Sequence, residues 1–370
     1  MASINPAFTL TPNEIYETLA NMIISQEVFA DNLGEHQTLV DKARVDGGLY
    51  GDTKLYYATD VLKSHDWLND AEAANLLAIE RPNDPEVQAI KLDVFKQIRL
   101  TLDNYLTKRA WMNEGAFSSF NGIMLGWMRE TKRVYDGTLY NVFIGTTESD
   151  IGEQEQEIEL PVADGSLEVS KVRALEVARQ VADLFDAMSD YNRDFNDYGF
   201  FRSYARDSIK VIWNKKYLNE IRKVDLPPVF HKDGLIEKFE ADSMQAHYFG
   251  TPISADVSAA NNDGHYRALV EMDIGNGSGT ASAGTAAQHV FPGQLIPANV
   301  AIAKGTAYEE DPTIVCKILV KLPPFMSAFE VGTTFFNPRS LTENHYLTFG
   351  HNSLAYLKNY PFVTVREVNE

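Results

Sequence analysis

The chain has 370 residues, 44% apolar and 23% charged, enough for two or three packed units and without the loss of large apolar residues that marks disorder. Acidic residues outnumber basic ones by 52 to 33, and the resulting 19 negative charges argue against a protein whose main work is gripping a phosphate backbone. The single cysteine, Cys316, rules out a disulfide within the chain, and inside the apolar run TIVCKILV it reads as a buried structural thiol.

The N-terminus, MASINPAFTLTPNEIYETLANMI, lacks the basic start and apolar block of a signal peptide, and no stretch of 18 apolar residues occurs. A reducing cytosol is the expected place of synthesis and folding. Residues 11–33 carry Ile15, Leu19, Met22, Ile23 and Phe29 at the spacing of a short amphipathic helix within an N-terminal arm. The β-favouring run TKLYYATDVL (53–62) and the alternating run VQAIKLDVFKQIRLTLDNYL (87–106) read as two strands facing each other across an acidic connection. Residues 45–110 are therefore expected to form a long two-stranded projection with little core of its own.

Residues 114–143 place Phe117, Phe120, Met124, Trp127, Val134, Leu139 and Val142 three, four and seven apart, one apolar stripe on a helix of about eight turns. Gly115, Gly122, Gly126 and Gly137 each cost a helix interior up to ~1 kcal/mol, which suggests a bend or a close neighbour. An acidic linker (146–165) leads to a second helix with Val172, Leu175, Ala178, Val181, Phe185 and Met188 on one face and Ser166 as its cap. The strand SIKVIW (208–213) and the helix NKKYLNEIRKV follow, the latter stopped at Pro227-Pro228. Residues 243–310 read as a loop-rich insertion with one strand at 266–274, and the last sixty residues return to strand pattern.

Nothing in this order assembles a convincing catalytic set. Gly275, Gly277 and Gly279 follow a strand but run G-x-G-x-G with no Lys-Ser or Lys-Thr after them, so a surface loop fits better than a phosphate cradle. The eight histidines form no H-E-x-x-H, the clustered carboxylates lie in polar runs, and no serine sits in a G-x-S-x-G elbow. In FNPRSLTENHYLTFGH (336–351), alternation puts His345 on a face with Leu347 and Phe349. A histidine beside core residues is more often structural than a base. Asn337-Pro338-Arg339 reads as a turn into a terminal hairpin, with Arg339 suited to pair with an acidic surface.

Four stretches carry a resemblance: WMNEGAFSSFNGIMLGWMRETKRVYDGTLYNVFIGT, SIKVIWNKKYLNEIRKV, VFPGQLIPANVAI and EVGTTFFNPRSLTENHYLTFGHNSLAYL. With the order of elements around them, they resemble the major capsid proteins of tailed bacteriophages, the Hong Kong 97-type fold, especially those of small short-tailed phages. The resemblance implies an α+β chain with an N-terminal arm (1–44), an extended-loop or E-loop projection (45–110), a peripheral domain with the spine helix (111–165), an axial domain with the loop-rich insertion (166–311), and terminal strands that return to these domains (312–370).

It further implies a shell subunit with no catalytic role, no cofactor and no metal. It implies assembly into hexamers and pentamers of an icosahedral or elongated head, with a separate scaffolding protein, a portal protein and enclosed double-stranded DNA as partners and no membrane. Such a head is built in the host bacterial cytoplasm and persists as the virion. Leu55, Tyr56, Tyr57, Phe95 and Ile98 are the expected E-loop contacts, and Phe117, Phe120, Met124 and Trp127 the expected spine packing. An encapsulin-like compartment shell holding an enzyme cargo shares this fold and stands as the alternative; a soluble enzyme with an axial-loop site is a third reading. The short arm argues for a scaffold made as its own chain, and the lack of a matchable partner for Lys63 or Lys91 argues for noncovalent assembly.

Overall fold

In a computed structural model, residues 39–46, 53–64, 79, 81–102, 114–147, 154–222, 242–274, 288–353 and 362–369 are described. In chain order they form α1 (Leu39–Ala43), β1 (Arg44–Asp46), β2 (Thr53–Ala58), β3 (Glu86–Leu102), α2 (Glu114–Thr146), β4 (Glu155–Leu160), α3 (Leu167–Ser189), β5 (Lys210–Asn214) and α4 (Lys215–Arg222). Then follow β6 (Ser243–Met244), β7 (Gly250–Pro252), β8 (Arg267–Ala268), β9 (Met272–Ile274), β10 (Gln288–Val290), β11 (Ala307–Glu310), β12 (Ile314–Leu319), β13 (Phe325–Asn337), β14 (Thr342–Asn352) and β15 (Phe362–Asn369). The chain divides into two compact units, one drawn from Met1–Asp52, Lys91–Gly137 and Phe325–Ser353, the other from Thr53–Ile90, Thr138–Pro324 and Leu354–Glu370.

In the first unit β13 and β14 form an antiparallel hairpin from Ser327 opposite His351 to Asn337 opposite Thr342. β14 pairs on its other side with β3, from Glu343 opposite Leu102 to Asn352 opposite Leu92. β1 lies parallel along the outer edge of β13, Arg44 to Asp46 against Phe325 to Ser327. Period-two alternation sends Ile98 and Leu100 to one face with Leu347 and Phe349, and leaves Phe95, Gln97 and Arg99 on the other. The face with Leu347 and Phe349 packs against α2, where Tyr135 meets Phe349 at 5.8 Å between ring centres. The hairpin turn is the one expected: the Asn337 side chain accepts the Arg339 N–H at 3.0 Å, an Asx turn, and Leu341 takes a positive φ of 55°.

In the second unit five strands run in the order β4-β15-β12-β5-β6. β12 sits in the middle and is buried at every residue, its apolar run broken only by Lys317. α3 covers this sheet, burying Ala174, Val177, Val181, Leu184, Phe185 and Met188 against Trp213, Val315, Ile318, Val363 and Val365. Ser166 caps α3 as expected, its hydroxyl accepting the Val169 N–H at 3.3 Å. The buried stripe is rotated from the expected one: Val172 and Leu175 are 54% and 39% exposed, and Arg173 goes in instead. The acidic linker contains β4, parallel to β15, whose Ile158 and Leu160 are buried behind exposed glutamates. The insertion is more ordered than its sequence suggests, with β7-β11-β8, the β9/β10 hairpin and a core of Ala268, Ile274, Val290, Ile296, Val300, Ile302 and Ala307.

Candidate assembly surface

The segment leaving β2 is pinned at its root, within the second unit. The Asp60 carboxylate accepts the Phe201 N–H at 3.0 Å and an Arg193 guanidinium N–H at 3.0 Å, while Arg202 donates to the Thr59 carbonyl at 3.3 Å. Those donors, the Phe201 amide first and Arg193 second, hold the Asp60 pKa down at about 2. Arg193 also lies over the Phe201 ring, which stacks on Tyr191. Immediately beyond this clamp Val61 and Leu62 are 53% and 74% exposed, and Ile79 is 80% exposed. Large apolar side chains so exposed beside a fixed root are the mark of a contact surface rather than of a core.

Of the residues expected to make projection contacts, Leu55 is exposed, and so is Phe95, whose ring lies across Gly350 on the neighbouring strand. Ile98 stands opposite Leu347, half-buried on the other face of the sheet. The side chains of Tyr56, Tyr57, Phe117, Phe120 and Met124 lie outside those described, as do residues 1–38 and the loop of Gly275. Trp127 is half-buried on α2. The tip of the β13/β14 hairpin adds Phe335, Phe336 and Leu341, all exposed.

Buried polar groups act as ties, and sequence reading singled out none of them. In the first unit Lys132 donates to Glu330 at 3.0 Å and lies 3.7 Å from Asp136, which Arg44 of β1 approaches at 3.4 Å. Burial pushes the Asp136 carboxyl up while Lys132 and Arg44 oppose it. His351 is buried: its Nδ1 is 2.8 Å from the Asn352 carbonyl, so Nδ1 carries the proton and Nε2 accepts from the Tyr135 hydroxyl at 3.0 Å. Burial lowers the His351 pKa. In the second unit Arg173 forks onto both oxygens of Glu367 at 2.9 and 3.0 Å and donates to Glu220 at 2.9 Å. Burial pushes Glu367 up, but Arg173 and the Tyr217 hydroxyl outweigh it and leave it below the usual range. The fully buried Lys317 of β12 donates to the Thr147 carbonyl just past α2, where the helix dipole favours a cation. Apart from the i,i+4 pair Lys132–Asp136 and the His351–Asn352 contact, these ties join segments far apart in the chain, so no local motif announces them.

None of these groups opens into a catalytic arrangement. Cys316 is fully buried and its thiol is pushed up by burial, an inert structural cysteine. His345 stands on the face with Leu347 and Phe349, as the alternation requires, 3.3 Å from the Thr334 hydroxyl. Among the described residues no cluster of His, Cys, Asp and Glu suits a metal ion, and no helix is long and apolar enough to cross a membrane.

The architecture is that of a tailed-bacteriophage capsid chain, the α+β Hong Kong 97-type fold. The chain is similar to one in the capsid structure of Staphylococcus phage Andhra, at 9% identity and a TM-score of 0.58 over 90% of this chain and 84% of that one. It is also similar to a chain in the structure of the head fiber and inner core protein gp22 of native bacteriophage P68, at 10% identity and a TM-score of 0.55 over 98% and 88% of the two chains. No family model matches the sequence, and no curated protein matches it.

Proposed function

We propose that this chain is the major capsid protein of a tailed bacteriophage, a virion structural subunit that self-assembles into hexamers and pentamers of a closed head. The observation that carries this reading is the shared fold over 90% of the chain with a phage capsid structure. The exposed apolar residues Val61, Leu62, Phe95, Phe335 and Phe336 support it, since contact with other subunits would bury them. The segment from residue 45 to 110 carries the E-loop, rooted at Asp60, and α2 is the spine.

The net charge of −19 fits a shell that encloses double-stranded DNA without adhering to it. Enzymatic chemistry has no place in this account. A separate scaffolding protein and a portal guide closure inside the host bacterial cytoplasm. Expressing the chain alone and with a candidate scaffolding protein, then imaging the soluble fraction by negative-stain electron microscopy, tests the proposal. Shells, tubes or capsomer rings are expected; a discrete small oligomer under both conditions contradicts it.

A further inference from the structure

The outer edge of β13 is covered by β1 only along Phe325–Ser327, and among the described residues no strand pairs with the edge from Ala328 to Asn337. Ten residues of strand span about 33 Å, more than a typical strand needs for stable pairing. Gly332 to Phe336 are exposed, and the run Val-Gly-Thr-Thr-Phe-Phe is rich in β-branched and aromatic residues. Folded proteins usually blunt such an edge with lysine, proline or a covering loop. Here Val331 to Asn337, beyond the irregularity between Ala328 and Val331, carries neither lysine nor proline.

Charge selects the occupant. The chain as a whole carries −19, so two copies repel each other over most of their surfaces. From Val331 to Pro338 no residue is ionisable, and Glu330 just before this stretch is already paired with Lys132 at 3.0 Å. This neutral, exposed edge is where a second copy can approach without like-charge cost. In a two-fold antiparallel pair, the edge supplies both partners and the exposed Phe335 and Phe336 beside it lie within reach of the opposing strand.

We propose that the edge of β13 is a subunit contact, in which two copies of this chain join by antiparallel main-chain hydrogen bonds between their Ala328–Asn337 segments. The inference rests on the shell reading above and adds the strand through which subunits meet. Single cysteines at the exposed positions, Gly332→Cys, Thr333→Cys and Thr334→Cys, test it in assembled particles, because the native Cys316 is fully buried. A Cβ at Gly332 meets nothing within 4 Å.

A short bismaleimide should link at least one variant into a covalent dimer on a denaturing gel, with yield falling away from the two-fold position. Thr333→Lys should lower particle yield several-fold by setting two cations against each other. Particles that form from all three cysteine variants with no dimer at any position overturn the inference while leaving the shell reading intact. So do particles that form undiminished from Thr333→Lys. Failure of the unsubstituted chain to form particles with scaffold overturns the shell reading and this inference with it.

Discussion

Two glycines of one helix should respond in opposite ways to a single methyl group. A Cβ at Gly145 would be driven into the Tyr248 carbonyl oxygen, a backbone atom that cannot swing aside, whereas at Gly137 it would meet nothing within 4 Å. Gly145→Ala should therefore destabilise by roughly 2–3 kcal/mol, and Gly137→Ala should be neutral or stabilise by up to ~1 kcal/mol. Thermal or denaturant unfolding of the two variants measures this; equal effects would contradict the close approach. The sequence flagged glycines in this helix but could not rank them, and it passed over Gly145, because the neighbour that matters is a hundred residues away.

His351 makes a prediction about pH. Its burial keeps it neutral, with Lys132 and Lys96 adding to that and the Asn352 carbonyl and Asp93 opposing it. The unfolded chain binds a proton at this residue near pH 6.5 and the folded chain only at lower pH, so its contribution is complete above pH 6.5 and is lost as pH falls below it. Stability measured between pH 7 and 5 should fall more steeply for the native chain than for His351→Leu, which is weaker at neutral pH but lacks this titration. Parallel curves would show that His351 does not titrate differently in the two states.

At the scale of elements, what was legible followed from unbroken periodicity. The β3 alternation and the β13/β14 hairpin with its Asn-Pro turn could be read, because each repeats a simple pattern over ten residues or more; of the α2 stripe, Leu139 and Val142 are buried but Val134 is exposed, so that face was only partly placed. β4 was hidden by its glutamates: Gln156, Ile158 and Leu160 alternate inward, but three exposed charges make the segment look like a linker. The α3 face was misaligned because Arg173, which carries charge, is buried on the strength of Glu220 and Glu367 from distant segments. The 243–310 core has no period to detect, since Ile296 and Ile302 are held by isolated main-chain bonds to Tyr266 and Val257 rather than by regular strands.

The clamp at Asp60 is the element whose mechanics can be tested most simply. Asp60 is the acceptor that fastens the segment leaving β2 to the Tyr191–Arg202 segment. Asp60→Ala should speed amide hydrogen exchange at Phe201 and around it by an order of magnitude or more while leaving the β12 amides protected. Unchanged exchange at Phe201 would mean that the root is held by packing alone.

At the scale of the molecule, the residues on which the proposed shell depends are contact residues. They are apolar groups left in water, Leu62 and Phe335 among them, beside buried ties that keep their supports rigid. Such a surface is legible in sequence only through the order of elements, which suggested the architecture while individual contact residues remained open. Under the proposal, a negatively charged chain with a segment rooted at Asp60, a long helix and an exposed sheet edge is completed by its own copies.

The most direct measurement is a cryo-electron microscopy reconstruction of particles made by this chain with a candidate scaffolding protein. The account predicts a closed icosahedral or elongated shell of five- and six-fold capsomers, with the segment rooted at Asp60 lying on an adjacent subunit. A particle without capsomers, or a lone oligomer in which that segment folds back on its own chain, would contradict it.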